Sequence, residues 1–123
     1  MKVAELKDRL RYAMELNDIK AVDLCKKVDI PKVSMSYYMS GRSEPKSDRV
    51  YLLAKALDVS EAWLLGYDVA MERSSDQKDA DETVSLFNRI EKDREFKKLM
   101  LRINRLNPAA LEAVKSVLAA IPE

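Results

Sequence analysis

Residues 19–66 read IKAVDLCKKVDIPKVSMSYYMSGRSEPKSDRVYLLAKALDVSEAWLLG. Two short amphipathic segments meet at Asp29, Ile30 and Pro31, and the second is polar and bears Ser and Tyr. A tight junction ahead of a polar helix is what a chain needs to lay a row of side chains into a DNA groove. The apolar periodicity agrees. Ala21, Leu24, Cys25 and Val28 share one face of a helix over about residues 20–28, with Ile30 packing just beyond it. Pro31 suits the first position of the next helix, because its fixed φ is helical and its missing N–H is not needed there. Met35, Tyr38 and Met39 anchor that helix and Gly41 closes it. Ser47 or Asp48 is expected to cap a fourth helix carrying Val50, Leu53, Ala54 and Leu57. Ser60 opens a fifth, with Trp63 and Leu64, that stops at Gly66.

Upstream, Val3, Leu6, Leu10 and Ala13 step by three, four and three, which places an apolar stripe on a first helix ending near Asn17. Downstream the texture changes, with nine acidic residues against five basic ones between Tyr67 and Glu95. From Glu72 to Glu82 the only apolar residue is Ala80, so this stretch reads as a flexible connector. Beyond it Phe96, Leu99, Ile103 and Leu106 form one helical stripe, and Leu111, Val114, Leu118 and Ile121 another. Asn107-Pro108 between them is a helix stop followed by a capped start, giving an αα-hairpin. No segment sustains a period of two, so the expected class is all-α: a five-helix bundle (1–67), an acidic linker (68–85) and a C-terminal αα-hairpin (86–123).

Composition narrows the chemistry. The chain has 123 residues, 47% hydrophobic and 35% charged, with a net charge of +1. That length fits one domain or a small domain with an appendage, domains running to roughly 100–150 residues. No apolar run approaches the ~18 residues of a membrane span, and the charged N-terminus lacks the core of a signal peptide, so a cytoplasmic protein is expected. The chain has no histidine, which removes Ser-His and Cys-His catalysis and nearly all zinc sites. Its two glycines exclude phosphate-cradling loops. No enzyme, cofactor or metal is expected. Cys25 reads as a small buried residue in a reducing compartment, and the methionines as gap-fillers.

The combination of Leu24-Cys25, Ile30, Met35, Gly41, Pro45, Leu53-Ala54, Leu57, Val59-Ser60 and Leu64 resembles the helix-turn-helix domain of the Cro/C1 type, the XRE family of phage and bacterial repressors. The ending LLAKALDVSEAWLLGYD is similar to the domains of short Gram-positive phage and mobile-element repressors. The resemblance covers a little over half the chain. It implies a lambda-repressor-like five-helix bundle whose third helix lies in the major groove of double-stranded DNA. On that likeness Met35 and Tyr38 face inward, while Lys32, Val33, Ser36 and Tyr37 face bases. Lys32 suits guanine O6 and N7, Val33 a thymine methyl, and Tyr37 a base edge or a phosphate. Ser34 lies beside this row, and Lys20, Ser34, Arg42, Ser43 and Lys46 are the candidates for phosphate contacts. Eight basic residues against four acidic ones between Lys20 and Lys55 favour such docking. The sequence departs from the family at Ala21, where a glutamine usually contacts phosphate, and at Pro31, where a Ser or Thr usually caps the third helix.

A two-helix hairpin with an apolar seam on both arms cannot bury that seam against itself. Pairing of Phe96, Leu99, Ile103, Leu106, Leu111, Val114, Leu118 and Ile121 across a homodimer would form a four-helix bundle and present two reading heads. Two other resolutions stand beside it: the hairpin folds back on the first domain, or a different protein covers it. The function expected is a dimeric transcriptional repressor. The alternative is an antitoxin or a regulator whose hairpin binds a toxin or a protein antagonist.

Overall fold

The computed structural model describes residues 1–123, and it is helical, with no strand beyond an isolated antiparallel bridge between Lys2 and Tyr67. The chain divides into two compact units, residues 1–79 and 80–123. No helix is long and apolar enough to cross a membrane.

The first unit holds α1 (Leu6–Leu16), α2 (Ala21–Val28), α3 (Lys32–Ser40), α4 (Ser47–Leu57) and α5 (Glu61–Leu64). The expected apolar positions meet in one core: Leu6, Leu10, Ala13 and Met14 of α1 close on Leu24, Cys25 and Val28 of α2, Met35 and Tyr38 of α3, Leu53 and Leu57 of α4, and Trp63 and Leu64 of α5. Within each helix these residues are adjacent or three to four apart, so one helical face carries them inward. Val3 is a correction to the expected stripe. It is exposed and lies ahead of α1, because its N–H donates to the Gly66 carbonyl at 2.8 Å instead of entering a helix. Pro31 and the start of α4 also shift by one place. Pro31 takes an extended conformation (ψ 144°) as the N-cap, and Lys46, not Ser47 or Asp48, is the N-cap of α4, without a side-chain bond.

Three helices end on an aspartate in the left-handed region: Asp18 (φ 49°), Asp29 (φ 54°) and Asp58 (φ 55°). A β-branched residue follows each one, and its N–H reaches back five residues: Ile19 to Met14 O, Ile30 to Cys25 O and Val59 to Ala54 O, at 2.9–3.1 Å. This is the Schellman ending, in which the C″ N–H satisfies an orphan carbonyl and the C″ side chain packs on the helix. Ile30 and Val59 are accordingly in the core. Aspartate tolerates this backbone because its short polar side chain suits the left-handed region.

Gly66 is needed for a different reason. Its φ is +107°, and a Cβ there would lie 2.1 Å from the Ala4 carbonyl oxygen, since the N-terminal segment crosses it in contact. Gly66→Ala is therefore expected to cost about 1–2 kcal/mol through strain and loss of that crossing. The check is a fall of roughly 5–10 °C in the thermal midpoint. An unchanged midpoint refutes the packing argument.

Residues 68–74 are laid on the bundle: the Asp68 N–H donates to Met1 O, and the Ser60 N–H to Met71 O at 2.8 Å. The Arg73 side chain is buried, donating to Val59 O at 2.9 Å and to Glu61 Oε1 at 3.0 Å, with its guanidinium near the Tyr51 ring. The flexible connector expected over 72–82, within the linker 68–85, is instead helical from Ser75, where α6 (Ser75–Lys92) starts. The cause is a capping box. The Gln77 N–H donates to Ser74 Oγ at 3.1 Å and the Ser74 N–H to Gln77 Oε1 at 2.7 Å, so two orphan donors are satisfied reciprocally. Asp76 in the first turn and Arg89 and Lys92 in the last complement the helix dipole.

The second unit contains the rest of α6, α7 (Arg94–Asn104) and α8 (Pro108–Ala119). Asp93 Oδ1 caps α7 by accepting from the Phe96 N–H, and Asn107 Oδ1 caps α8 by accepting from the Ala110 N–H, with Pro108 in the first turn as expected. The Arg89 guanidinium sits 4.0 Å over the Phe96 ring, joining α6 to α7. No side chain of α6, α7 or α8 is buried.

Candidate nucleic-acid interface

The turn between α2 and α3 is built by three residues with separate tasks. Asp29 reverses the chain in the left-handed region, Ile30 plugs the core, and Pro31 starts α3 extended. The outcome is a fixed angle for α3, which packs against α1 and α2. At 3.6 residues per turn, Lys32, Val33, Ser36, Tyr37 and Ser40 fall within roughly 140° of arc, while Met35 and Tyr38 point away from it. The burial follows that geometry. Met35 is 1% exposed and Tyr38 6%, against 63% for Val33 and 38% for Tyr37. Lys32 and Ser36 are exposed as well, and Ser34 is half-buried at the edge of the row.

Neighbouring helices hold this row rigid from behind. The Tyr38 hydroxyl accepts from Arg49 Nη1 of α4 at 2.8 Å, and Arg11 of α1 donates from Nε and Nη2 to the Met39 carbonyl at 3.3 and 3.1 Å. At the C-terminal end, Gly41 (φ +79°) lets the chain turn, and the Tyr37 carbonyl accepts from the Arg42 N–H at 3.0 Å, the Ser43 N–H at 3.4 Å and Ser40 Oγ at 3.2 Å. The Arg42 guanidinium lies 4.8 Å over the face of the Tyr37 ring.

The phosphate candidates Lys20, Arg42, Ser43 and Lys46 are all exposed. Lys20 stands at the start of α2, while Arg42, Ser43 and Lys46 follow α3 in the loop to α4. Beside α3 a cleft of about 440 Å³ is lined by Arg11, Val22, Cys25, Lys32, Ser36 and Met39 among others. Arg11 is the residue of this face that sequence reading missed. It sits 28 positions from its partner Met39, so no local spacing points to it.

Of the residues expected at a dimer seam, Phe96, Ile103, Leu106, Leu111 and Val114 are half-buried within the second unit, whereas Leu99, Leu118 and Ile121 are exposed. Leu86 and Phe87 of α6, and Val117 of α8, are exposed apolar residues not singled out beforehand. The recurrence of Thr83, Leu86, Phe87 and Ile90 at helical spacing is the signal that marks the first of these.

The family model described as helix-turn-helix matches residues 10–64. A solved structure described as a transcriptional regulator from Listeria innocua is similar over 94% of this chain and 91% of that chain, at 17% identity and a TM-score of 0.47. No curated protein matches in sequence. The matched stretch spans α2 and α3, so residues 10–64 carry a helix-turn-helix domain of the XRE type.

Proposed function

We propose that this protein is a cytoplasmic transcriptional repressor that binds a pseudo-palindromic DNA operator as a homodimer, inserting α3 into the major groove. The observation that carries the reading is the exposed row Lys32, Val33, Ser36 and Tyr37 on a helix whose opposite face, Met35 and Tyr38, is locked in the core. Lys32 donates to guanine, Val33 meets a thymine methyl, and Tyr37 and Ser36 supply hydroxyls to base edges. Lys20, Ser34, Arg42, Ser43 and Lys46 take phosphates and set the register. The exposed apolar residues Leu99, Leu118 and Ile121 serve the pairing of two copies, which sets two reading heads on half-sites about 34 Å apart or a multiple of that. Capture of the same α7 and α8 surface by a different protein, as in an antitoxin, is the second reading, and the mass of the purified chain in solution separates the two.

Selection of bound fragments from a random DNA pool by the full chain tests recognition, symmetry and spacing together. Within the selected site, Lys32→Ala is expected to lose about tenfold discrimination at one base pair per half-site. Lys46→Ala should weaken all sequences alike and reduce the slope of log affinity against log salt by about 0.9 per half-site. If neither change alters retention in a gel-shift titration, this face does not read DNA.

A further inference from the structure

We propose that Arg42 is a positioning residue for base reading: its guanidinium, stacked on the Tyr37 ring, holds that ring in its reading orientation. The inference rests on the DNA-reading face proposed above and goes beyond the phosphate role given there to Arg42.

Three features of the helix end support it. The guanidinium carbon lies 4.8 Å from the Tyr37 ring centroid, within the range in which a cation is drawn to an aromatic face. The backbone fixes the geometry from both sides, because the Arg42 N–H donates to the Tyr37 carbonyl at 3.0 Å and Gly41 supplies the left-handed turn that brings Arg42 back over the helix. The Ser40 hydroxyl tightens the same turn, donating to the Tyr37 carbonyl at 3.2 Å and accepting from the Arg42 N–H at 3.4 Å. Tyr37 is 38% exposed, against 63% for Val33 on the same row.

The consequence is chemical. An exposed tyrosine on a helix samples several χ1 wells, and each one sends the hydroxyl to a different place. A planar cation over one face selects among them before DNA arrives. Arginine suits this because its guanidinium is flat and weakly hydrated, so it stacks and still directs N–H groups outward to a phosphate. A lysine at 42 keeps the charge but not the plane.

The test uses the full chain and the operator fragment selected by the wild type, with single-base variants of it. Arg42→Ala is expected to lower overall affinity and, beyond that, to cut discrimination about two- to fivefold at the one base pair per half-site where Tyr37→Ala acts. Arg42→Lys should keep the salt slope and still lose that discrimination. In the Tyr37→Ala background, Arg42→Ala should weaken all fragments by one common factor. The thermal midpoints of these variants should match the wild type, since the guanidinium carries no core contact. The proposal is overturned if Arg42→Ala weakens every fragment equally in the wild-type background, or if Arg42→Lys discriminates as the wild type does. Loss of reading by Lys32→Ala alongside either result leaves the DNA-binding face standing. No effect of Lys32, Tyr37 and Arg42 variants alike removes both.

Discussion

On the proposed pairing of two copies, Leu118→Asp is expected to convert dimer to monomer and to lower the affinity for a two-half-site operator by about a hundredfold or more. Leu118 is 61% exposed on α8, near Val117 and Ile121 in sequence, which are exposed in the same way. An aspartate there meets no core, so the substitution leaves the helix-turn-helix bundle intact and acts on association alone. In a dimer the apolar face would be desolvated, and a carboxylate placed in it is left unpaired and costly to bury. The effect on DNA is larger than the effect on any single contact, because linking two heads makes the second binding event intramolecular. Sedimentation or light scattering reads the mass, and gel-shift titration on a full site and an isolated half-site reads the avidity. The half-site affinity should be unchanged. A wild-type monomer, or a Leu118→Asp chain that binds the full site as tightly as the wild type, refutes homodimer pairing through α7 and α8.

The elements that the sequence displayed plainly are those whose signals are local. Stripes at steps of three and four, Pro31, Gly41, Ser60 and Asn107-Pro108 each act within one helical turn, and the corresponding helices α1–α5, α7 and α8 follow these marks apart from Val3 and the one-place shifts at the starts of α3 and α4. The inward face of α3 follows from the same periodicity, whereas its outward row was read from the family resemblance. Two other local signals were present but outweighed. The left-handed ends at Asp18, Asp29 and Asp58 carry no glycine, yet an aspartate followed by Ile, Ile and Val recurs at all three. The Ser74 and Gln77 capping box was masked by the density of charge around it, which reads as disorder when composition is weighed ahead of spacing. Arg11 against Met39 and Arg73 against Glu61 were not legible in principle, because each contact exists only once the helices have packed. The half-burial of Phe96 and Val114 beside the exposure of Leu118 belongs with them, since a stripe on a helical wheel does not say how far along it the neighbour reaches.

Arg73→Ala is expected to destabilise the helix-turn-helix unit by about 3 kcal/mol, on the order of 15 °C in thermal midpoint. The side chain is 2% exposed and answers two acceptors at once, Val59 O and Glu61 Oε1, with its guanidinium carbon 5.8 Å from the Tyr51 ring centroid. Removing it leaves the Val59 carbonyl short of a donor at the α4–α5 turn and the Glu61 carboxylate, 34% exposed, without its cation. The first penalty is that of a buried group stranded by the loss of its partner, which exceeds the net worth of the bond itself, while the partly exposed carboxylate adds less. Both bonds come from Nη1, so Arg73→Lys, which keeps the charge on a shorter side chain without the planar guanidinium, should recover only part of the loss. The same lock makes a statement about where the folded unit ends. A chain cut after Tyr67 forfeits Arg73 and the bond from Ser60 to Met71, whereas one cut after Asp79 retains them. The longer fragment should melt well above the shorter one, and Arg73→Ala within it should close most of that gap. Equal midpoints for the two fragments would show that residues 68–79 add nothing to the bundle and that Arg73 is buried without being needed.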